Sequence, residues 1–297
     1  MPELVSTITV ALRGDTAMAI GGILGSVLFN LFILVVVDLL DPNTIYHRLS
    51  MNHAFTGILG CVLLAILIAG LAFGMLNEKA LNSLNSIGTV GVPSILIFIF
   101  YFVGQLVILQ IAKTTEAEKE TMKLATRFDN LSLKNLIMIY LGIALVILVA
   151  ANYLGIYAEK IAANYHLSAT FAGATLLGII TSLPEVTNAV TCARQKEFDL
   201  AIGNILGANA FVLIVLAIAD IVYIKNTLYS SLSSTDSVSS IIMASIAIIM
   251  QGIAMAALVS RSKHQIWRIG FASVLLLIFY IISLIVSYRF SSVVKAF

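Results

Sequence analysis

"TSLPEVTNAV" occupies residues 181–190. It follows a run, 161–184, that contains no Asp, Glu, Lys or Arg. Pro184 cannot donate a backbone N–H, and its ring clashes with the turn before it. A helix arriving at Thr181 must therefore kink or break by Pro184. Lipid tolerates such a break only where it lines a cavity or is buried in protein, and the break releases carbonyl oxygens that can bind cations. Glu185 comes directly after it, at mid-depth. An acid at that depth is expensive and marks function by default. Thr181 and Ser182 precede it by four and three residues and Asn188 follows by three, so the four share one helical face. Small neutral polar groups also serve helix packing, but packing needs no carboxylate.

The whole chain fits this membrane setting. Of its 297 residues, 60% are hydrophobic and 11% charged, with a mean hydropathy of +1.04. Soluble domains carry roughly 25% charged residues, so the composition predicts an integral, all-α, polytopic membrane protein. Charge-free stretches are long enough for helices of about 20 residues, and the absence of period-2 alternation argues against a β-barrel. Full spans are expected at about 16–40, 52–75, 86–112, 135–158, 167–193, 199–222, 237–260 and 266–288, with a shorter apolar piece at 2–12. The net charge of +2 excludes little, and no basic patch with interleaved aromatics suggests nucleic acid. Cys61 and Cys192 have no disulfide or metal spacing and read as packing residues. His47, His53, His166 and His264 lie in loops or near span ends and receive no role.

The stretch has a partner at the start of the chain. Laying Pro2 on Pro184, an offset of 182, aligns Pro2–Leu40 with Pro184–Val222 without a gap. Fourteen of the 39 columns are identical, among them Pro2, Glu3, Gly21, Gly25, Phe29 and Asp38. Apolar bias supplies Leu and Ile matches, but not a shared Pro-Glu pair, two glycines and an aspartate, so this is an internal repeat. Alternating the spans places eleven Lys and Arg on one side and six on the other. Basic residues favour the cytoplasm, which puts the loop 113–134 inside. Arg13 then follows the first motif outside, and Arg194 follows the second inside. The copies point in opposite directions, the architecture of many secondary transporters, with a midplane site between them. The expected division is 1–112, a linker 113–134, and 135–297.

The helix after each motif is glycine-rich: "GGILGSVLFN" at 21–30 and "GNILGANAFV" at 203–212. Gly21, Gly25, Gly203 and Gly207 at spacing four form a close helix-contact pattern. That pattern does not account for Ser26, Asn30 or Asn209. Bringing the copies together about a pseudo-twofold converges Glu3, Glu185, Asn30, Asn209, Ser26, Thr181 and Ser182 with freed carbonyls. All are hard oxygen donors, suited to Na⁺ and to Ca²⁺, which takes six to eight of them. No His or Cys joins them, which disfavours zinc, copper and iron. No cofactor is called for.

At these residues the chain resembles the cation/calcium exchanger superfamily. Its two repeats read roughly G-T/S-S-x-P-E, then G-N-x-x-G-S-N-x-F-N. "TSLPE" at 181–185 and "GNILGAN" at 203–209 match closely, while "PE" at 2–3 and "GGILGSVLFN" match in part. The resemblance implies inverted repeats of a five-helix unit and an antiporter in the plasma (inner) membrane. Such an antiporter exchanges Ca²⁺ for Na⁺ or H⁺ across the bilayer, with Glu3 and Glu185 as central ligands. Gly22 and Val27 stand where the family's first copy has polar residues, and Val212 where the second has Asp or Asn. The site keeps two acids and loses a third polar group, which implies an altered stoichiometry or coupling ion.

Residues 135–182 have no counterpart before Pro2. An ammonium group at the core would cost roughly as much as a central Lys, 2.5–3.5 kcal/mol. The sequence therefore predicts an N-terminally truncated ten-helix exchanger fold, lacking the first helix and part of the second. Two rival readings remain. One is a truncated remnant that does not transport and serves a structural or interaction role. The other is an intramembrane enzyme using Asp38 and Asp220, but these follow about 20 apolar residues and fall at span ends on opposite sides.

Overall fold

A computed structural model describes residues 2–75, 86–115, 132–266 and 268–293. Among them run ten helices: α1 (Pro2–Leu12), α2 (Thr16–Leu39), α3 (His53–Met75), α4 (Val92–Thr115), α5 (Leu133–Asn164), α6 (Ala169–Thr181), α7 (Leu183–Arg194), α8 (Phe198–Val222), α9 (Ser234–Val259) and α10 (Phe271–Val293). Seven are long and apolar enough to cross a membrane, or eight if the bent pair α6–α7 makes one span. Most of the expected linker, residues 116–131, lies outside the described residues.

Local chemistry sets the helix ends. The Asp15 carboxylate accepts from Met18 N at 3.0 Å, and the hydroxyls of Ser132, Ser168 and Ser233 cap α5, α6 and α9 in the same way. Each cap satisfies an N–H that the helix cannot. The ends of α1 and α7 close with one and the same turn. Asp15 N reaches Val10 O at 3.2 Å, and Glu197 N reaches Cys192 O at 2.9 Å. Gly14 and Lys196, 182 apart, both take left-handed backbone at φ 94 and 63. The repeat thus extends to backbone conformation where side chains differ.

Two expected spans begin differently. Short antiparallel strand pairs precede α4 and α10, β1 (Ser86–Ile87) with β2 (Val90–Gly91) and β3 (Gln265–Ile266) with β4 (Ile269–Gly270). Gly88 turns the first at φ 66, and Pro93, lacking an N–H, takes the first turn of α4. Hydropathy alone does not separate a two-residue strand from the helix that follows it. Helix α5 also outruns its expected end by six residues, carrying Glu159 and Lys160 on its last turns.

The packing is its own copy under exchange of the halves. Helix α3 meets α9 and α2 meets α8; α3 packs on α4 as α9 does on α10; α4 packs on α8 as α10 does on α2. The central pair is antiparallel. Thr16, at the start of α2, bonds Ser231 O beyond the end of α8, while Ser50, beyond the end of α2, bonds Asp199 at the start of α8. The repeats are therefore inverted. Arg13, Glu159 and Lys225 mark one face, with Arg13 paired to Glu159 at 3.1 Å; Arg48, Asp199 and Arg261 mark the other.

Asp38 and Asp220 are structural. Asp38 Oδ1 accepts from Ile45 N at 2.9 Å and Oδ2 from Gly270 N at 2.6 Å. Asp220 Oδ1 accepts from Leu228 N at 2.7 Å, and Oδ2 from Gly91 N and Ser94 Oγ, both at 2.7 Å. Tyr229 OH bonds Ser94 at 2.9 Å, as Tyr46 OH bonds Ser273 at 3.1 Å. Each aspartate ends the central helix of one half and holds the hairpin of the other. The two clamps sit at opposite ends of the bundle and cannot act as a catalytic pair.

Candidate functional site

Both Pro-Glu motifs open a helix. Pro2 and Pro184 fall in the first turns of α1 and α7, where a missing N–H is harmless, and each is followed by its acid. The expected break is present. Helices α6 and α7 meet at 43° around Ser182, whose backbone leaves the helical region at φ −90, ψ 5. A second irregularity was not anticipated: Gly173–Leu177 form a π-turn inside α6. Such turns recur at functional sites, and its only sequence trace is the pair of glycines, Gly173 and Gly178, that bracket it.

The π-turn lies where α6 presses on α2. A methyl group on Gly25 would collide with Ala174 O and lie 2.5 Å from its Cα. One on Gly178 would lie 2.7 Å from Gly25 C, and one on Gly21 2.9 Å from Thr170 Cα. The two backbones touch, as the spacing of Gly21 and Gly25 implies. The second copy departs from that expectation. Gly203 meets only the His53 ring, at 3.1 Å, and Gly207 has nothing within 4 Å, because no described helix lies on α8 as α6 lies on α2.

This close crossing brings Ser26 and Thr181 together. Ser26 Oγ is 3.3 Å from Thr181 Oγ1 and 3.3 Å from Gly178 O, and Thr181 Oγ1 donates to Leu177 O at 2.8 Å. Glu3, Asn30, Asn209, Thr181, Ser182 and Ser26 are all buried, and Glu185 is half-buried. Glu3 lies within electrostatic reach of Glu185. Asn188 does not join them: it is exposed, beyond the bend, with Cys192 Sγ at 3.7 Å from its Oδ1.

Several of these groups have unmet hydrogen-bonding capacity. Asn30 Oδ1, Ser182 Oγ, Glu185 Oε2 and both amide atoms of Asn209 are buried without a hydrogen-bond partner. Native interiors leave few such groups, and each asks for an explanation. Four oxygens, one of them on a carboxylate, and an amide nitrogen left bare cost on the order of 1–3 kcal/mol apiece. Among the described residues no three His, Cys, Asp or Glu side chains gather, so a cation here would lean on neutral oxygens beside the two acids. Gln251 is a polar residue the sequence reading missed. Buried in mid-α9, it donates from Nε2 to Gly57 O at 3.0 Å. A lone amide within the charge-free stretch 237–260 was its available signal.

The broken helix α6–α7 with its glutamate, and α1 with the matching Pro-Glu pair, lie beside glycine-rich α2 and α8 that run in opposite directions, an arrangement that belongs to a class of membrane exchangers. The chain belongs to the family described as sodium/calcium exchanger protein, whose sequence pattern matches residues 1–110 and 134–289. It is 29% identical over 223 residues to the inner membrane protein YrbG of Escherichia coli K12, and 25% identical over 223 residues to the candidate antiporter CaxA of Alkalimonas amylolytica. Those alignments take in 72% and 74% of this chain, and 63% and 66% of the relatives. The chain thus spans under two thirds of their length. The fold matches that of native YfkE with a TM-score of 0.66 at 16% identity, over 97% of this chain and 80% of that one. It matches the H⁺/Ca²⁺ exchanger CAX with a TM-score of 0.68 at 13% identity, over 98% and 73%.

Proposed function

We propose that the protein is a secondary active cation antiporter, moving Ca²⁺ against Na⁺ or H⁺ by alternating access. The ions would be held by Glu3, Glu185, Asn30, Ser26, Thr181, Ser182 and Asn209. The observation that carries this reading is the set of buried, unpartnered atoms on Asn30, Ser182, Asn209 and Glu185, in a greasy interior that also holds Glu3. Two carboxylates held out of water require neutralisation. One Ca²⁺ supplies it, as do two monovalent cations, so the site exchanges one load for the other rather than crossing empty. Family membership supports calcium antiport, and the matched H⁺/Ca²⁺ exchanger supports a proton as counter-ion as much as the family description supports sodium. The YrbG likeness supports an inner-membrane location, and the excess of Lys and Arg on one side supports a cytoplasmic position for that face.

The test is Ca²⁺ flux in proteoliposomes holding a Na⁺ or an H⁺ gradient. Uptake should follow one gradient and fall at least 100-fold in Glu185→Gln, which removes a charge from the load-bearing pair. Equal flux in parent and variant overturns the assignment; no flux in either, at full incorporation, favours the remnant with a structural role. Val212 bears on the counter-ion. It is buried on α8 at the repeat position of Asn30, so Val212→Asp adds a third acid. Its Ca²⁺ uptake should change its dependence on Na⁺, and an unchanged dependence rejects a role for this position in coupling.

A further inference from the structure

The basic face holds a pocket of about 360 Å³ outside the central site, between the start of α3 and the end of α9. Arg48, Arg261, Ser50, Asn52, Met51 and Asp199 line it. Its volume falls within the ~300–1,000 Å³ of ligand pockets. Arg48 spends one Nη1 bond on Asp41 at 3.4 Å and its Nε on His47 at 3.3 Å, which leaves the rest of its fork open. Arg261 has no ion-pair partner among the described residues. The one acid of the wall is already engaged: Asp199 Oδ1 accepts from Ser50 N at 2.7 Å and lies 2.9 Å from His53 Nε2. The pocket therefore offers guanidinium donors that exceed its acceptors, with Ser50 and Asn52 beside them. Arginine forks match phosphate oxygens two at a time.

The neighbouring surface narrows the source of that phosphate. Met51, in the wall, is 45% exposed; Phe55 and Ile58, four and seven residues on, are 42% and 51% exposed. Phe55 and Ile58 share one face of α3, and Met51, in the turn that enters the helix, leads from the pocket toward them. A free anion has no use for such a track, whereas an acyl chain fits it. We propose that this pocket seats the headgroup phosphate of an anionic phospholipid, between Arg48 and Arg261, with one acyl chain along Met51, Phe55 and Ile58. The site is independent of which ions the protein moves, since it shares no residue with the central cluster.

Native mass spectrometry of the purified 297-residue chain, titrated with phosphatidylglycerol or phosphatidylcholine, tests it. Phosphatidylglycerol should be retained in preference. Arg48→Gln and Arg261→Gln should each weaken that retention about five-fold, since an arginine at an anionic surface contributes about that factor. Arg194→Gln, on the same face but not in the wall, should leave it unchanged. Met51→Glu keeps both arginines and should also expel the lipid, a check that stands if an arginine variant folds poorly. Equal retention of the two lipids, or unaltered retention in Arg261→Gln and Met51→Glu, overturns the proposal. So does displacement by millimolar inorganic phosphate, which would make the pocket a site for the free anion.

Discussion

Asp220 shows how much one side chain can hold. Its carboxylate receives three hydrogen bonds in a buried setting, two of them on Oδ2. Asparagine would turn an amide N–H₂ toward at least one of those donors. Bonds to charged groups contribute about 1.5–3 kcal/mol each, so Asp220→Asn should lower stability by about 2–4 kcal/mol, read as a fall in thermal midpoint in detergent. Asp38→Asn loses a clamp with two donors and should cost less. Equal costs would show that Ser94 adds nothing. Asp15, at the other end of α2 from Asp38, responds to pH. Burial above all, then the nearby Glu159 and Asp236, raises its carboxyl above the usual 3.8, while the bond from Met18 N opposes the rise. A raised carboxyl means that the folded state binds more protons than the unfolded one, so this group favours folding increasingly as pH falls through its raised value toward 3.8. Asp15→Asn keeps an acceptor for Met18 N and removes the titration. The variant should gain less stability on acidification across that window than the parent does, measured as thermal midpoint against pH. Asp15→Ala should lose about 1 kcal/mol more than Asp15→Asn, with the cap.

At the scale of elements, the α2–α6 crossing is the contact most sensitive to volume. Gly25→Ala must push Ala174 away, and overpacking of this kind costs about 1–3 kcal/mol. Gly207→Ala is the same change at the same repeat position, but it meets open space and should be neutral or stabilising by up to about 1 kcal/mol through helix propensity. Comparing yield and thermal midpoint of the two variants checks this; equal losses would mean that α8 is as tightly covered as α2. The contrast also bears on what the sequence discloses. The spans, the break at Pro184 and the repeat were legible, because apolar length, a proline and an offset of 182 are local or periodic signals. The hairpins before α4 and α10 were not, since two-residue strands are too short to show the alternation that marks a strand. Gly203 and Gly207 looked identical to Gly21 and Gly25, because spacing records which residues can approach a backbone and not whether one is there. Of the polar set, burial at the α2–α6 crossing was foreseeable from type and spacing. The exposure of Asn188 was not, because it depends on the 43° bend.

Across the whole molecule, the clamps make each half depend on the other. Asp38 binds Gly270 and Asp220 binds Gly91, so neither half can satisfy its buried acid alone. Expressed as separate chains, 1–115 and 132–297, the halves should be degraded singly and copurify when made together; a half that is stable alone would show that the cross-bonds are dispensable. The aspartates were visible as a matched pair in the sequence, but their role was not, because both partners are backbone N–H groups on the opposite half, which no residue identity announces.

The two cross-bonds also differ in time. When Asp220 emerges during synthesis, Gly91 was made 129 residues earlier, and that clasp can shut at once. Asp38 waits for a glycine 232 residues downstream, on the order of tens of seconds at ordinary ribosomal speeds. For that interval a carboxylate at the end of the central helix lacks its final donor, so a nascent chain stalled before residue 270 would carry its own mark of incompleteness.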